Sequence, residues 1–274
     1  MTATGRPAPS RPTTVDARSP GSWPLLDGRR AVVTGGANGI GAAIVRELAA
    51  AGASPGAVLD LETSLGPGGT PDRWTEVPVD LRDDASVSGA FATAREAVGG
   101  TIDVLVAVAG IVPSWTGIAD VDPDVWDDVF RVNARGVMRT IQEAAPALAD
   151  GGSIVVIASQ NAWRGNENLA SYVASKHAAL GLVRSVALEL GPRGIRVNAI
   201  GPGSVATEAY RARLQAREDA GGRTVEESLE ADARTNPLRR LATPEDVART
   251  ALFLASDLAS GVTGHIVPVG SPFI

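Results

Sequence analysis

The run "AVVTGGANGIG", residues 31–41, constrains this chain more than any other stretch. A short apolar strand ends at Thr34 and a glycine loop follows at once. Ile40, Ile44, Leu48 and Ala51 then fall on one face at helical spacing. Gly35, Gly39 and Gly41 supply a sharp turn and let backbone approach a phosphate closely. The helix start behind them offers free N–H groups and a positive dipole end to a pyrophosphate. A glycine-rich turn with no ligand is the plain alternative, so the loop alone does not decide.

The alternation continues to the end of the chain. "AVLDL" (57–61), "WTEVPVD" (74–80), "IDVLVAVAG" (102–110), "GSIVVIAS" (152–159), "IRVNAIGPG" (195–203) and "HIVPV" (265–269) read as strands. The runs at 102–110 and 152–159 are apolar enough to be buried on both faces. Helices are expected over about 84–98, about 123–149, from the Tyr172 segment to about 190, and through "TPEDVARTALFLAS". In the last of these Thr243 suits the N-cap, Pro244 the first turn and Asp246 the capping-box position. Residues 204–236 are polar and read as short mobile helices that close over a substrate. Strands alternating with helices, without a repeat or a second domain, mean an α/β fold. Its parallel sheet is doubly wound, with helices on both faces and ligands beyond the carboxyl ends of the strands.

Composition narrows the partners. At 274 residues the chain suits one large α/β domain. Its net charge of −6, with no basic stripe, argues against nucleic acid. Cysteine is absent, which removes disulfides, thiolate metal sites and a cysteine nucleophile, and fits a reducing cytoplasm. With His177 and His265 as the only histidines, no metal site is expected. No apolar run approaches the roughly 20 residues of a membrane span, so no membrane partner is expected. Residues 1–27 are rich in Pro, Ser, Thr and Arg and lack an apolar h-region. They read as a flexible tail before a folded domain over 28–274, and not as a signal or transit peptide.

Four polar residues suggest chemistry. Tyr172 and Lys176 stand at i and i+4 and project from one helix face. An ammonium beside a phenol favours phenolate, and such a tyrosine exchanges protons with an alcohol or ketone near neutral pH. Ser159 ends strand five, where a doubly wound sheet contacts its ligand, and Asn133 lies in the long helix before that strand. Asp60 ends "AVLD", 25 residues beyond Gly35, where a carboxylate accepts ribose hydroxyls and repels a 2′-phosphate. NAD is therefore favoured over NADP, with Glu62 as the fallback acid if the strand ends later. Singly, each of these residues has an ordinary surface or capping reading.

Together they do not. "TGGANGIG", "RVNARG", "SIVVIAS", "YVASK" and "RVNAIGPGSVAT" occur in an order and spacing that resembles the classical short-chain dehydrogenase/reductase family, over roughly residues 28–270. The resemblance implies a single-domain, Rossmann-like, seven-stranded sheet and a tetrad of Asn133, Ser159, Tyr172 and Lys176. By it, Tyr172 is the general acid/base and Ser159 positions the substrate oxygen. Lys176 also binds the nicotinamide ribose, and Asn133 holds a water that links Lys176 to solvent. It further implies cofactor contacts at Gly35, Asn38, Gly39, Ile40, Gly41, Asp60, Leu61, Asp80, Leu81, Ala109, Gly110, Pro202, Gly203, Val205 and Thr207. Trp115, Gln160, Asn161, Trp163 and Tyr210 lie on segments flanking the substrate, and Arg164 reads as a surface residue. A homotetramer or homodimer is implied as well.

The chain departs from the family in three places. The usual Asn-Asn-Ala-Gly run reads Ala107-Val108-Ala109-Gly110, which removes amide hydrogen bonds that tie strand four. The turn before Asp60 is about one residue longer, with Pro55 and Gly56 in it. The C-terminal Val-Asp-Gly-Gly reads Val269-Gly270-Ser271-Pro272. The expected activity is hydride transfer between NAD and a secondary alcohol or its ketone, with oxidation the favoured direction. The alternatives are an NADPH-type ketoreductase of a biosynthetic pathway and, in another class, a non-catalytic NAD-binding sensor.

Overall fold

Buried strands dictate the centre of the molecule. In a computed structural model describing residues 25–66 and 69–271, β1 (Ala31–Thr34), β4 (Ile102–Ala107) and β6 (Arg196–Pro202) are buried at every position. With β2 (Gly56–Asp60), β3 (Trp74–Pro78), β5 (Leu148–Ile157) and β7 (Ile266–Val269) they form one seven-stranded sheet in the order β3-β2-β1-β4-β5-β6-β7. Every pairing is parallel. A parallel sheet needs cover on both sides, because its crossover connections put helices there.

The helices supply that cover in two apolar layers. Val87, Phe91 and Ala94 of α2 (Asp84–Ala97), Ile141 of α4 (Val137–Ala144) and Leu180 and Val183 of α5 (Ala170–Leu190) pack on one face. Ile44 and Leu48 of α1 (Gly39–Ala50) pack on the other with Val247, Ala251 and Leu254 of α8 (Pro244–Ala255). The period-two alternation of strand side chains divides the sheet between them. Val32 and Leu105 face the first layer, and Val33, Val104 and Val106 face the second. Leu105 is fully buried, and truncation to alanine at such a position costs about 2–5 kcal/mol.

The doubly wound, seven-stranded expectation therefore holds, and α8 starts as its sequence signals it should. Thr243 and Asp246 complete a reciprocal capping box with Pro244 in the first turn. Some boundaries differ. Packing begins before residue 28: Leu26 is buried and its N–H donates to the Ala51 carbonyl oxygen at 3.0 Å. Residues 1–24 of the proposed tail lie outside the described residues, as does Pro272. The long helical stretch expected over about 123–149 is present through residue 147, built from α3 (Pro123–Phe130), a π-helical stretch over Arg131–Gly136, α4 and a 3₁₀ turn. Pro146 opens that turn, and β5 starts at Leu148, ahead of the expected residue 152. Residues 204–236 hold two helices, α6 (Glu208–Asp219) and α7 (Val225–Thr235), each capped by a threonine, Thr207 and Thr224.

Strand order reverses between β1 and β4, both of which carry loops at their carboxyl ends. That is where a doubly wound sheet opens a crevice. Among the described residues, no helix is long and apolar enough to cross a membrane.

Candidate active site

The crevice is a cleft of ≈ 1210 Å³ running from the glycine loop across the ends of β2, β4, β5 and β6 to α6 and α7. It exceeds the ~300–1,000 Å³ of a pocket for one drug-sized ligand, leaving room for a dinucleotide and a second small molecule.

The glycine-loop end fits a dinucleotide. Gly35 has φ +70°, and a Cβ on it would stand 2.5 Å from the Ala109 nitrogen. A Cβ on Gly41 would stand 1.8 Å from the Gly35 carbonyl oxygen, so that glycine serves loop-to-helix packing and lies off the cleft wall. Gly39, at φ +51°, and Asn38 do line the cleft, and the first turn of α1 holds no acidic side chain to occupy its N–H groups. The Asp60 carboxylate accepts from the Ala37 N–H at 3.0 Å and the Leu61 N–H at 2.8 Å. It is thus fixed at the carboxyl end of β2, as the sequence suggests, with lone pairs left for ribose hydroxyls. Glu62 lies off the cleft wall. Ile40, Leu61, Asp80, Leu81, Ala109, Gly110, Pro202, Gly203, Val205 and Thr207 all line the cleft.

Ser159, Tyr172 and Lys176 sit in the middle of the cleft. Ser159 stands two residues past the end of β5, at the N-cap of a 3₁₀ turn, rather than ending the strand, and its hydroxyl accepts from the Asn161 N–H at 3.1 Å. Tyr172 and Lys176 enter from the first two turns of α5, with the Lys176 Nζ 5.7 Å from the Tyr172 ring centroid. That Nζ donates to the Ile157 carbonyl oxygen at 3.1 Å. Lys176 is buried, and burial pushes its ammonium down to about 8. Burial pushes the Tyr172 phenol up, while a hydrogen bond with Ser159 and the charge of Arg213 pull it back down. The net direction is upward, opposite to the expectation drawn from Lys176 alone.

Asn133 is fully buried and does not line the cleft. Its side-chain amide accepts from the Ile111 N–H and donates to the Ile111 carbonyl oxygen, both at 2.8 Å, and donates to the Ser175 hydroxyl at 3.2 Å. Ser175 in turn donates to the Tyr172 carbonyl oxygen at 2.8 Å. The amide's donors are thus taken up in tying the segment after β4 to α5, which makes Asn133 a positioning residue in this structure. The π-helical turn around it is a distortion common at functional sites.

On the substrate side, Trp115, Gln160, Asn161 and Tyr210 line the cleft. Trp163 does not: its indole fills the space over Gly201, where a Cβ would meet it at 2.2 Å. Arg164 lines the cleft mouth. The sequence reading missed Arg213 and Asp232. The Tyr210 hydroxyl donates to Asp232, and that carboxylate with burial pushes the phenol up to about 12. Arg213 stacks on the Trp115 ring, 4.3 Å from its centroid. A signal was present: Tyr210, Arg213, Leu214 and Arg217 lie at i, i+3, i+4 and i+7, one face of a helix.

A strand–glycine loop–helix start, a carboxylate after β2 and a Ser-Tyr-Lys cluster around one cleft define an oxidoreductase of the nicotinamide-binding type. The chain belongs to the short-chain dehydrogenase/reductase family. Residues 35–271 match the family model described as enoyl-(acyl carrier protein) reductase. A (+)-cis,cis-nepetalactol synthase of Nepeta racemosa is 36% identical over 89% of this chain and 91% of its own. The 2,3-dihydro-2,3-dihydroxybenzoate dehydrogenase of Bacillus subtilis is 34% identical over 88% and 94%. The solved structure of Thermoplasma acidophilum aldohexose dehydrogenase superposes with a TM-score of 0.78, at 30% identity, over 91% of this chain and 94% of its own.

Proposed function

We propose that the protein is an NAD-dependent dehydrogenase that interconverts a secondary alcohol and its ketone, with Tyr172 as general acid/base. The observation that carries this reading is the convergence of Ser159, Tyr172 and Lys176 on one cleft whose far end is built for a dinucleotide. Family membership alone does not carry it, since one relative is named a synthase and another a dehydrogenase.

Ser159 would hold the substrate oxygen by a hydrogen bond, and the Tyr172 phenolate would take the hydroxyl proton as the carbinol hydrogen departs as hydride. Bound nicotinamide supplies the carbon that accepts that hydride. Lys176, when charged, favours the phenolate and reaches the ribose. Asp60 selects NAD, because its carboxylate would repel a 2′-phosphate. Asn133 holds α5 in register, so that phenol and ammonium keep their separation. Helices α6 and α7 form the wall over the substrate and are the lid of this reading. We place the enzyme in the cytoplasm as a homo-oligomer, in line with its cysteine-free sequence and its family.

The test is NADH absorbance over a panel of cyclic, aromatic and aliphatic secondary alcohols, with NAD and NADP run in parallel. Formation of NADH, faster than NADPH, supports the reading. Silence in both directions while NADH still binds would point instead to a nucleotide-binding sensor.

A further inference from the structure

Resting on the alcohol-site reading above, we propose that Arg213 is a specificity-determining residue that receives a carboxylate of the substrate, so that the alcohol oxidised here is a hydroxy acid. Arg213 sits on α6, in the wall of the cleft that also holds Tyr172. Its guanidinium carbon lies over the Trp115 indole, 4.3 Å from the ring centroid, and Nη2 donates to the Pro113 carbonyl oxygen at 3.3 Å. Stacking and this single bond fix the planar group yet leave most of its five N–H donors unused.

Nothing nearby neutralises it. Among the described residues no carboxylate forms an ion pair with Arg213, although the chain as a whole is acidic. Arg217 stands over the same indole at 5.2 Å, so two cations share one ring. Arg164 and Arg223 line the cleft as well. The acids on that side are Glu208 and Asp232, and Asp232 is already taken by the hydroxyls of Ser204 and Tyr210. Burial lowers Arg213 below its ordinary value, and its charge reaches the Tyr172 phenol. A half-buried guanidinium held edge-free, beside a second cation and next to the acid/base, is a seat for a planar anion that two parallel N–H bonds can grip. A carboxylate gripped there would hold its neighbouring carbinol near Tyr172. The site is distinct from the dinucleotide end, where Asp60 and the glycine loop provide the contacts.

The test measures binding without turnover. With NADH saturating, the affinities of cyclohexanecarboxylate and cyclohexanecarboxamide are compared by calorimetry in the parent protein, Arg213→Gln and Arg213→Lys. The parent is expected to bind the carboxylate about tenfold or more tightly than the amide. Arg213→Gln should abolish that difference and Arg213→Lys retain part of it, with NADH affinity unchanged in all three. Equal affinities in the parent, no measurable carboxylate binding, or a difference that survives in Arg213→Gln would overturn the proposal. A purely structural Arg213 would weaken acid and amide alike, which also counts against it. The dehydrogenase reading fails by a separate sign, the absence of NADH formation from any alcohol, acid or neutral.

Discussion

The side chain of Asn133 and the backbone of Ile111 are joined by two hydrogen bonds of 2.8 Å, one in each direction. The amide imitates a strand partner for a residue that has just left β4. Through Ser175 it also holds the backbone of Tyr172. Loop, π-helical turn and α5 are thereby one unit.

Asn133→Ala removes both bonds and leaves two partly buried backbone groups and the Ser175 hydroxyl without this partner. The expected loss is at least about 3 kcal/mol of stability, since three bonds are unmade and each costs roughly 1–3 kcal/mol. Urea unfolding checks it, and turnover should fall by a larger factor than affinity for NADH. A variant of unchanged stability and turnover would remove Asn133 from the positioning role.

Lys176 gives stability a pH signature. Its ammonium falls from 10.5 to about 8 on folding, so between those values the unfolded chain holds more proton than the native one. Native stability attributable to this group therefore rises with pH through that window, by an amount on the order of 3 kcal/mol in total. Below about pH 8 the cost of the buried charge is fully present. The check is the stability of the parent minus that of Lys176→Met, followed from pH 7 to pH 10.5. The difference should climb, and a flat line would mean that Lys176 is not buried as a charge.

Asp60→Ala should relax cofactor choice. The variant loses the carboxylate that repels a 2′-phosphate and a tether to the Ala37 N–H. The ratio of kcat/KM for NADP to that for NAD should rise about tenfold or more, equivalent to roughly 1.4 kcal/mol. An unchanged ratio would move cofactor selection to another residue.

Thr34 ends β1 opposite Ala107, and its hydroxyl is buried without a hydrogen-bond partner. Neither Ala107 nor Val108 carries a side-chain group that could bond it. Thr34→Val keeps the shape and removes the unmet group, so the midpoint of thermal unfolding should rise, by about 1 kcal/mol of stability. A drop would show that the hydroxyl is bonded in solution.

What could be read in the sequence follows from how local each signal is. The β1–loop–α1 start, the existence of the buried strands and the Thr243–Asp246 box depend on neighbours along the chain and all appear, although the ends of β4 and β5 shift by several residues. Asp60 ends β2 despite the longer turn before it, because Gly56 packs its bare backbone against the Trp74 indole and keeps the strand in register with β3. The helical stretch over 123–147 is legible from its spacing, whereas the π-helical turn at Arg131–Gly136, where Asn133 bonds Ile111 across the fold, is not. Trp163 looked like a substrate contact because its loop flanks the site, yet its ring turns back onto Gly201. Arg213 is one of three arginines on a mostly polar α6, and only the packing of α6 against Trp115 gives that arginine its place.

The most direct test of the acid/base account compares the parent with Tyr172→Phe for NADH affinity and for turnover of an alcohol that the parent oxidises. The variant should bind NADH as the parent does and lose turnover by about a hundredfold to ten-thousandfold, the usual contribution of a positioned acid/base group. Retained turnover at matched NADH affinity would contradict the assignment of Tyr172 and, with it, the reading of the cleft.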